Sequence, residues 1–133
     1  MILLDTHTLV WLSEGSSKLG IESRQLIDNA LKENELFVSS ISFWEVAMLV
    51  DKGRLNMDES LSIWHSNLIR NGLQEIPLTG RIAIQSTTLI DFHGDPADRM
   101  IVATAINSTT TLCTADKKIL SWKQELLRTN ARQ

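Results

Sequence analysis

The chain is poor in the residues that build disulfide scaffolds, membrane spans and secretion signals. It has one cysteine among its 133 residues, Cys113, so no internal disulfide can form and a reducing compartment is expected. Its longest apolar stretches fall far short of the roughly 20 residues that a membrane-spanning helix needs. The N-terminal residues Met1–Asp5 lack the basic region and the cleavage site of a signal peptide, and they indicate a first strand instead.

Basic residues are also too few to coat a protein surface for non-specific nucleic-acid binding. The net charge is −3 and the pI is about 5.5. This balance does not exclude a nuclease, because an acidic metal-binding pocket lowers the total charge. No Cys/His cluster has the spacing of a zinc site, no glycine-rich phosphate loop is present, and no local Ser–His pattern is apparent. The 43% hydrophobic content indicates one globular domain.

Short apolar runs alternate with segments of helical spacing along most of the chain. This alternation predicts an α/β fold with a short central parallel sheet and helices on both faces. The strands are expected at Ile2–Leu4, Leu36–Val38, Glu75–Leu78 and Thr111–Cys113. The helices are expected at Thr6–Glu14, Ile21–Glu33, Ser42–Val50, from an Asp58 cap to Arg70, from Thr79 to about Leu89, at Pro96–Asn107, and after Asp116.

The C-terminal end is basic, and its simplest interpretation is a solvated last helix and tail, with an RNA contact as the alternative. Residues 1–122 are expected to form a single domain, with 123–133 as a basic extension of it. On the helix before Arg70, Leu61, Trp64 and Leu68 share one face, which we assign to core or to an interface. Cys113 lies inside a predicted strand and is expected to be inert core.

Four acidic residues follow these strands or begin these helices: Asp5, Glu45, Asp98 and Asp116. In open parallel sheets the ligand site lies beyond the carboxyl ends of the strands, so all four can converge on one crevice if their strands are neighbours. Asp98 also opens an almost wholly apolar helix, where an unpaired carboxylate is costly to bury. Clustered carboxylates bind Mg²⁺ or Mn²⁺, which points to phosphodiester chemistry.

Each acid also has an ordinary structural interpretation. Asp5 and Asp116 suit helix caps, and Ser42 with Glu45 fits the capping-box pattern. Asp98 in a first turn suits the helix dipole. His93 lies near Asp98 in sequence and could line a site, but a turn histidine without a catalytic role is the simpler interpretation.

The blocks that carry these acids resemble the PIN-domain ribonucleases, and specifically the VapC toxins of toxin–antitoxin pairs. The blocks are Leu3-Leu4-Asp5-Thr6-His7, Ser42-Phe43-Trp44-Glu45-Val46-Ala47, His93-Gly94-Asp95-Pro96-Ala97-Asp98-Arg99 and Leu112-Cys113-Thr114-Ala115-Asp116. They occur in the family's order and span the chain from Met1 to about Trp122. Any one block is a weak signal, and the four together are quite specific.

The resemblance implies a PIN fold and a Mg²⁺-dependent endoribonuclease, with Mn²⁺ as a possible substitute. Asp5 and Asp98 would be direct metal ligands, and Glu45 and Asp116 would complete the site directly or through water. Thr6 and Thr114 would support the acids, with Thr114 orienting a carboxylate or a water. Arg99 would hold neighbouring acids in place. The family further implies a cytoplasmic homodimer, a VapB-like antitoxin that occludes the site, and transfer or ribosomal RNA as substrate.

Two other functions remain open at the level of the sequence. Many relatives carry a basic residue at the position of Leu49, so an inactive module that binds RNA or an antitoxin is one alternative. A phosphatase that forms an aspartyl phosphate on Asp5 is another. Such enzymes usually need a second Asp two residues later, where this chain has His7.

Overall fold

The computed structural model describes all residues, 1–133, as five strands and seven helices. The strands are β1 (Ile2–Leu4), β2 (Leu36–Ser39), β3 (Gln74–Ile76), β4 (Thr111–Thr114) and β5 (Arg128–Asn130). The helices are α1 (Thr6–Glu14), α2 (Ile21–Lys32), α3 (Ser40–Asp51), α4 (Leu61–Arg70), α5 (Gly80–Ser86), α6 (Pro96–Ser108) and α7 (Lys117–Leu120). No helix is both long enough and apolar enough to span a bilayer.

All five strands form one parallel sheet in the order β3-β2-β1-β4-β5. The chain builds outward from β1 through β2 to β3, and then returns to the other side of β1 to add β4 and β5. The direction of sheet growth therefore reverses between β1 and β4. Ligand sites of open parallel sheets occur at such a switch point, beyond the carboxyl ends of the strands.

Alternating side chains of the strands face two separate hydrophobic layers, as the pleat of a strand requires. Leu4, Val38 and Cys113 belong to the larger layer, which packs against α1, α2 and α4. Leu3 and Leu112 face the smaller layer, which packs against α6 and α7. The predicted α/β sheet with helices on both faces is confirmed.

Two helices have N-caps that differ from those predicted. The N-cap of α3 is Ser39, whose hydroxyl accepts the Ile41 N–H at 3.2 Å, so the interpretation of Ser42 and Glu45 as a capping box is wrong. The N-cap of α4 is Ser60, not Asp58, because the Ser60 hydroxyl accepts the Ile63 N–H at 3.3 Å.

The apolar face of α4 lies in the core. Trp64 is buried and donates its indole N–H to Ser13 at 2.7 Å, while Leu61 and Leu68 pack against the larger layer. Of the two roles considered for these three residues, core is the observed one.

The C-terminal residues beyond α7 are not helical, and they are only partly solvated. Strand β5 pairs with β4, and Ala131 is fully buried. The Ser23 N–H donates to the Gln133 carbonyl at 2.9 Å, and the Gly20 N–H donates to Ala131 at 2.8 Å. The last residues therefore cover the N-terminal end of α2, whose N-cap Gly20 has no side chain to do so.

Candidate metal centre

The four acids predicted from the sequence lie at the switch point between β1 and β4. Asp5 follows β1, Glu45 lies on the helix after β2, and Asp116 follows β4. Asp98 is in the first turn of α6. Each carboxylate thus comes from a different segment, and the parallel sheet brings the segments to one edge.

Asp5 is the most deeply buried acid of the group, with 6% of its surface exposed. Its Oδ1 accepts the Thr8 N–H at 2.9 Å, which caps α1 as expected. Its Oδ2 accepts the Thr114 hydroxyl at 2.5 Å. Burial raises the pKa of Asp5, although these hydrogen bonds oppose the shift. Capping and site membership are therefore compatible roles of one side chain.

Glu45 is held by a hydroxyl on the neighbouring helix. The Thr6 hydroxyl donates to Glu45 Oε1 at 2.5 Å, and Thr6 Oγ1 lies 3.0 Å from the hydroxyl of the buried Ser42. Burial raises the pKa of Glu45, and the charges of Asp95 and Asp5 raise it further. These repulsions indicate that Glu45 faces the other acids.

Asp98 lies among several like charges. Burial raises the pKa of its carboxyl from 3.8 to about 7, with further contributions from the charges of Asp95, Asp116, Glu45 and Asp5. All four of these charges are negative, so they repel the ionised Asp98 carboxylate.

Asp116 joins the site from the loop after β4. Its Oδ1 accepts the N–H groups of Lys118 and Ile119, at 2.8 and 3.2 Å, and so caps α7. Its own N–H donates to the Thr114 hydroxyl at 3.0 Å. Thr114 therefore joins Asp5 and Asp116 through one oxygen atom, which agrees with the orienting role that the resemblance implies.

The donor set fits a hard divalent cation. Carboxylate oxygens are the ligands that Mg²⁺ and Mn²⁺ accept most readily. Three side chains, His93, Asp98 and Asp116, place potential ligand atoms within 4.8 Å of one another. The acids around Asp98 repel its ionised carboxylate, and a bound cation would relieve this repulsion.

Arg99 does not contact the acids that the resemblance assigned to it. Its guanidinium donates to the backbone carbonyls of Ser86, Leu89, Phe92 and His93, over distances of 2.8–3.2 Å. Arg99 therefore fixes the connection between α5 and α6, and this connection carries His93 to the site.

Three further features lie around the centre; sequence reasoning considered His93 but preferred a turn histidine without a catalytic role, and it missed the other two. Asp95, predicted only as a helix cap, also acts electrostatically on Glu45 and Asp98. His93 Nε2 lies 3.3 Å from Asp98 Oδ2. Lys117 and Lys118 line the groove that contains Asp98 and Asp116. Position next to the acids in sequence was the available signal for all of them.

The groove beside the acids continues past His93 and Lys118 into a second one, lined also by Asp91, Ser121 and Lys123. A more apolar cleft of about 460 Å³ lies between the end of α6 and residues 124–128, and it contains none of the acids. We place the functional centre at the carboxylates, because only there do burial and like charge shift the pKa of several groups.

Comparison with known proteins agrees with this arrangement. The family model described as PIN domain matches residues 2–123. Ribonuclease VapC22 of Mycobacterium tuberculosis (strain ATCC 25618 / H37Rv) is 33% identical over 121 residues, which cover 90% of each chain.

Solved structures with the same fold include VapBC2 from Rickettsia felis bound to a DNA fragment from its promoter. Its matched chain has a TM-score of 0.70 and 21% identity, with 98% of each chain covered. DNA-bound VapBC from Salmonella typhimurium gives a TM-score of 0.71 at 15% identity, with 97% of this chain and 96% of that chain covered. With four acids from four segments at the switch point, and with a family match over nearly the whole length, the chain belongs to the PIN-domain family.

Proposed function

We propose that this protein is a metal-dependent endoribonuclease and the toxin of a type II toxin–antitoxin pair. The observation that carries the proposal is the convergence of Asp5, Glu45, Asp98 and Asp116 on one edge of the sheet, with the pKa of three of them raised. A relative that shares a third of its residues is named a ribonuclease, which supports the same reaction.

Asp5 and Asp98 are proposed as direct ligands of Mg²⁺, for which Mn²⁺ can substitute, and Glu45 and Asp116 complete the site directly or through water. The bound cation would polarise a phosphoryl oxygen, activate a water and stabilise the leaving oxygen of the cut phosphodiester. Thr6 and Thr114 fix the directions of Glu45 and Asp5, so that the ligand oxygens are already oriented.

The lysines beside the acids suit the approach of an RNA backbone. Lys117 and Lys118 lie on the rim of the acidic groove, and Lys123 lies on its continuation. Their charges would attract phosphates toward carboxylates that otherwise repel them. These lysines could contact phosphate in place of the basic residue that many relatives carry at the position of Leu49.

The partners proposed for the chain are a VapB-like antitoxin, a second copy of itself and a cellular RNA, with transfer or ribosomal RNA as the target class. Two solved structures that share the fold are VapBC complexes, which supports an antitoxin partner. A cytoplasmic location agrees with the single cysteine, which is buried, and with an RNA substrate.

The test is cleavage of total cellular RNA by the antitoxin-free protein in Mg²⁺, in Mn²⁺ and in EDTA. Wild type is compared with Asp5→Asn and Asp98→Asn, and with Asp28→Asn, which changes an exposed acid of α2. We expect discrete metal-dependent fragments with wild type and with Asp28→Asn, and none with the other two variants.

The same experiment separates the proposal from its alternative. An inactive module that binds RNA or an antitoxin would retain RNA without cutting it in either metal. Cleavage by a folded Asp98→Asn protein would remove that residue from the proposed site.

A further inference from the structure

The imidazole of His93 is fixed on several sides before α6 begins. Its ring stacks on Phe92, with the centroids 4.5 Å apart and the planes inclined by 28°. Its carbonyl accepts the Arg99 guanidinium at 3.0 Å, as does that of Phe92 at 2.8 Å. These contacts therefore fix the direction in which the ring nitrogens point.

The backbone around His93 selects its tautomer. The Asp95 N–H lies 3.3 Å from His93 Nδ1 and is directed at it, so Nδ1 must offer a lone pair. A neutral imidazole with an accepting Nδ1 carries its proton on Nε2. His93 is then a hydrogen-bond donor at Nε2 and not a lone-pair ligand.

The Nε2 atom is buried, and no aligned hydrogen-bond partner meets it. Its polar neighbour is Asp98 Oδ2, at 3.3 Å, and both side chains are about four-fifths buried. A rotation of the Asp98 carboxylate could align the pair. A buried N–H without a partner is unfavourable, so this rotation is favoured.

We propose that His93 is a positioning residue that donates its Nε2 proton to Asp98 Oδ2 and leaves Asp98 Oδ1 to face the cation. The proposal rests on the proposed function, because it concerns the same cation. Ligating carboxylates are commonly oriented by such hydrogen bonds, and loss of such a bond typically lowers metal affinity about 10–100-fold.

The first measurement is ¹⁵N–¹H correlation NMR of the histidine side chains, without and with Mg²⁺. We expect the Nε2-protonated tautomer of His93 in both spectra. Loss of the Nε2 proton when Mg²⁺ is added would show that His93 binds the ion itself, and this result would overturn the proposal.

The second measurement is Mn²⁺ affinity, by calorimetry, of His93→Leu, His93→Gln and the control His65→Leu. The Gln side chain offers an N–H near the position of Nε2, whereas Leu offers none. We expect about a 10–100-fold loss for His93→Leu, substantial recovery for His93→Gln, and no change for His65→Leu, since His65 pairs with Glu75 outside the site.

Melting temperatures of the three variants identify any general loss of folding. Recovery of affinity in His93→Gln would also argue against such a loss. Wild-type affinity in a folded His93→Leu protein would refute the positioning role and leave the nuclease proposal intact. A wild-type protein that binds neither Mg²⁺ nor Mn²⁺ would instead remove the proposed function, and the inference with it.

Discussion

The ionised carboxylate of Asp98, which the proposed metal site needs, lowers the stability of the folded protein. Asp98 is partly buried among acids, and its pKa is raised from 3.8 to about 7. A raised carboxyl pKa means that the folded state holds its proton more tightly than the unfolded state does. The stability contributed by that proton is fully present below about pH 4 and is lost as the pH rises to about 7.

We therefore expect Asp98→Asn to stabilise the protein in EDTA. The neutral amide does not titrate, so the advantage over wild type should grow between about pH 4 and pH 7 and then remain constant. Urea unfolding at several pH values measures this difference. The variant Asp28→Asn should follow the wild-type curve, and a constant offset at all pH values for Asp98→Asn would contradict the assignment of the shift.

Thr114 is the second residue whose substitution should be informative, because it should affect both stability and metal binding. Thr114→Val deletes a hydroxyl that donates to Asp5 and accepts from the Asp116 backbone, while the volume is kept. We expect a loss of about 1–3 kcal/mol in the free energy of unfolding, because a buried carboxylate loses a donor. Mn²⁺ affinity should also fall, by about 10–100-fold.

The matched control for this change is Thr129→Val, on the neighbouring strand opposite Cys113. It should leave the Mn²⁺ affinity unchanged. Equal effects of both substitutions on metal binding would mean that Thr114 acts only through the packing of the sheet.

At the scale of elements, the short helix α7 contributes two lysines to the groove that contains Asp98 and Asp116. Lys118 lines both the acidic groove and its continuation. We expect Lys118→Glu to weaken RNA binding and to lower its dependence on salt, because fewer phosphate counterions are displaced. Filter binding of RNA by the Asp5→Asn protein, across a range of salt concentrations, avoids cleavage during the assay. Lys18→Glu, an exposed charge in the loop before α2, should have no such effect.

The elements that the sequence predicted well are those with strong local signals. The predicted bounds of α1 match the observed helix, because Asp5 caps it and Gly15 ends it with a φ of 65°. Strand β5 was missed because Arg128, Thr129 and Asn130 have no apolar alternation, and their pairing depends on β4. The four acids were predicted because each follows a predicted strand or begins a predicted helix, whereas the contacts of Arg99 and His93 depend on tertiary packing that one sequence does not reveal.

At the scale of the whole molecule, the contact between the start of α2 and the last residues joins distant parts of the chain. A Cβ atom added to Gly20 would lie 2.0 Å from the Gln133 carbonyl oxygen, which backbone cannot avoid without moving. We expect Gly20→Ala to destabilise the protein by at least about 1–3 kcal/mol in chemical unfolding. Gly80→Ala, at the first residue of α5 with open space around it, should be neutral or slightly stabilising. Similar stability of the two variants would show that the C-terminal contact contributes little.

The central position of β1 in the sheet also determines when the site can be completed during synthesis. One edge of β1 can pair with β2 early, but its other edge stays open until β4 emerges, and the Thr114–Asp5 bond spans 109 residues. Closing so long a loop is a late event in folding. On a ribosome, a nascent chain that stops before Asp116 would have at most three of the four carboxylates. We therefore expect a chain that ends before Asp116 to cleave no RNA, because its group of acids is incomplete.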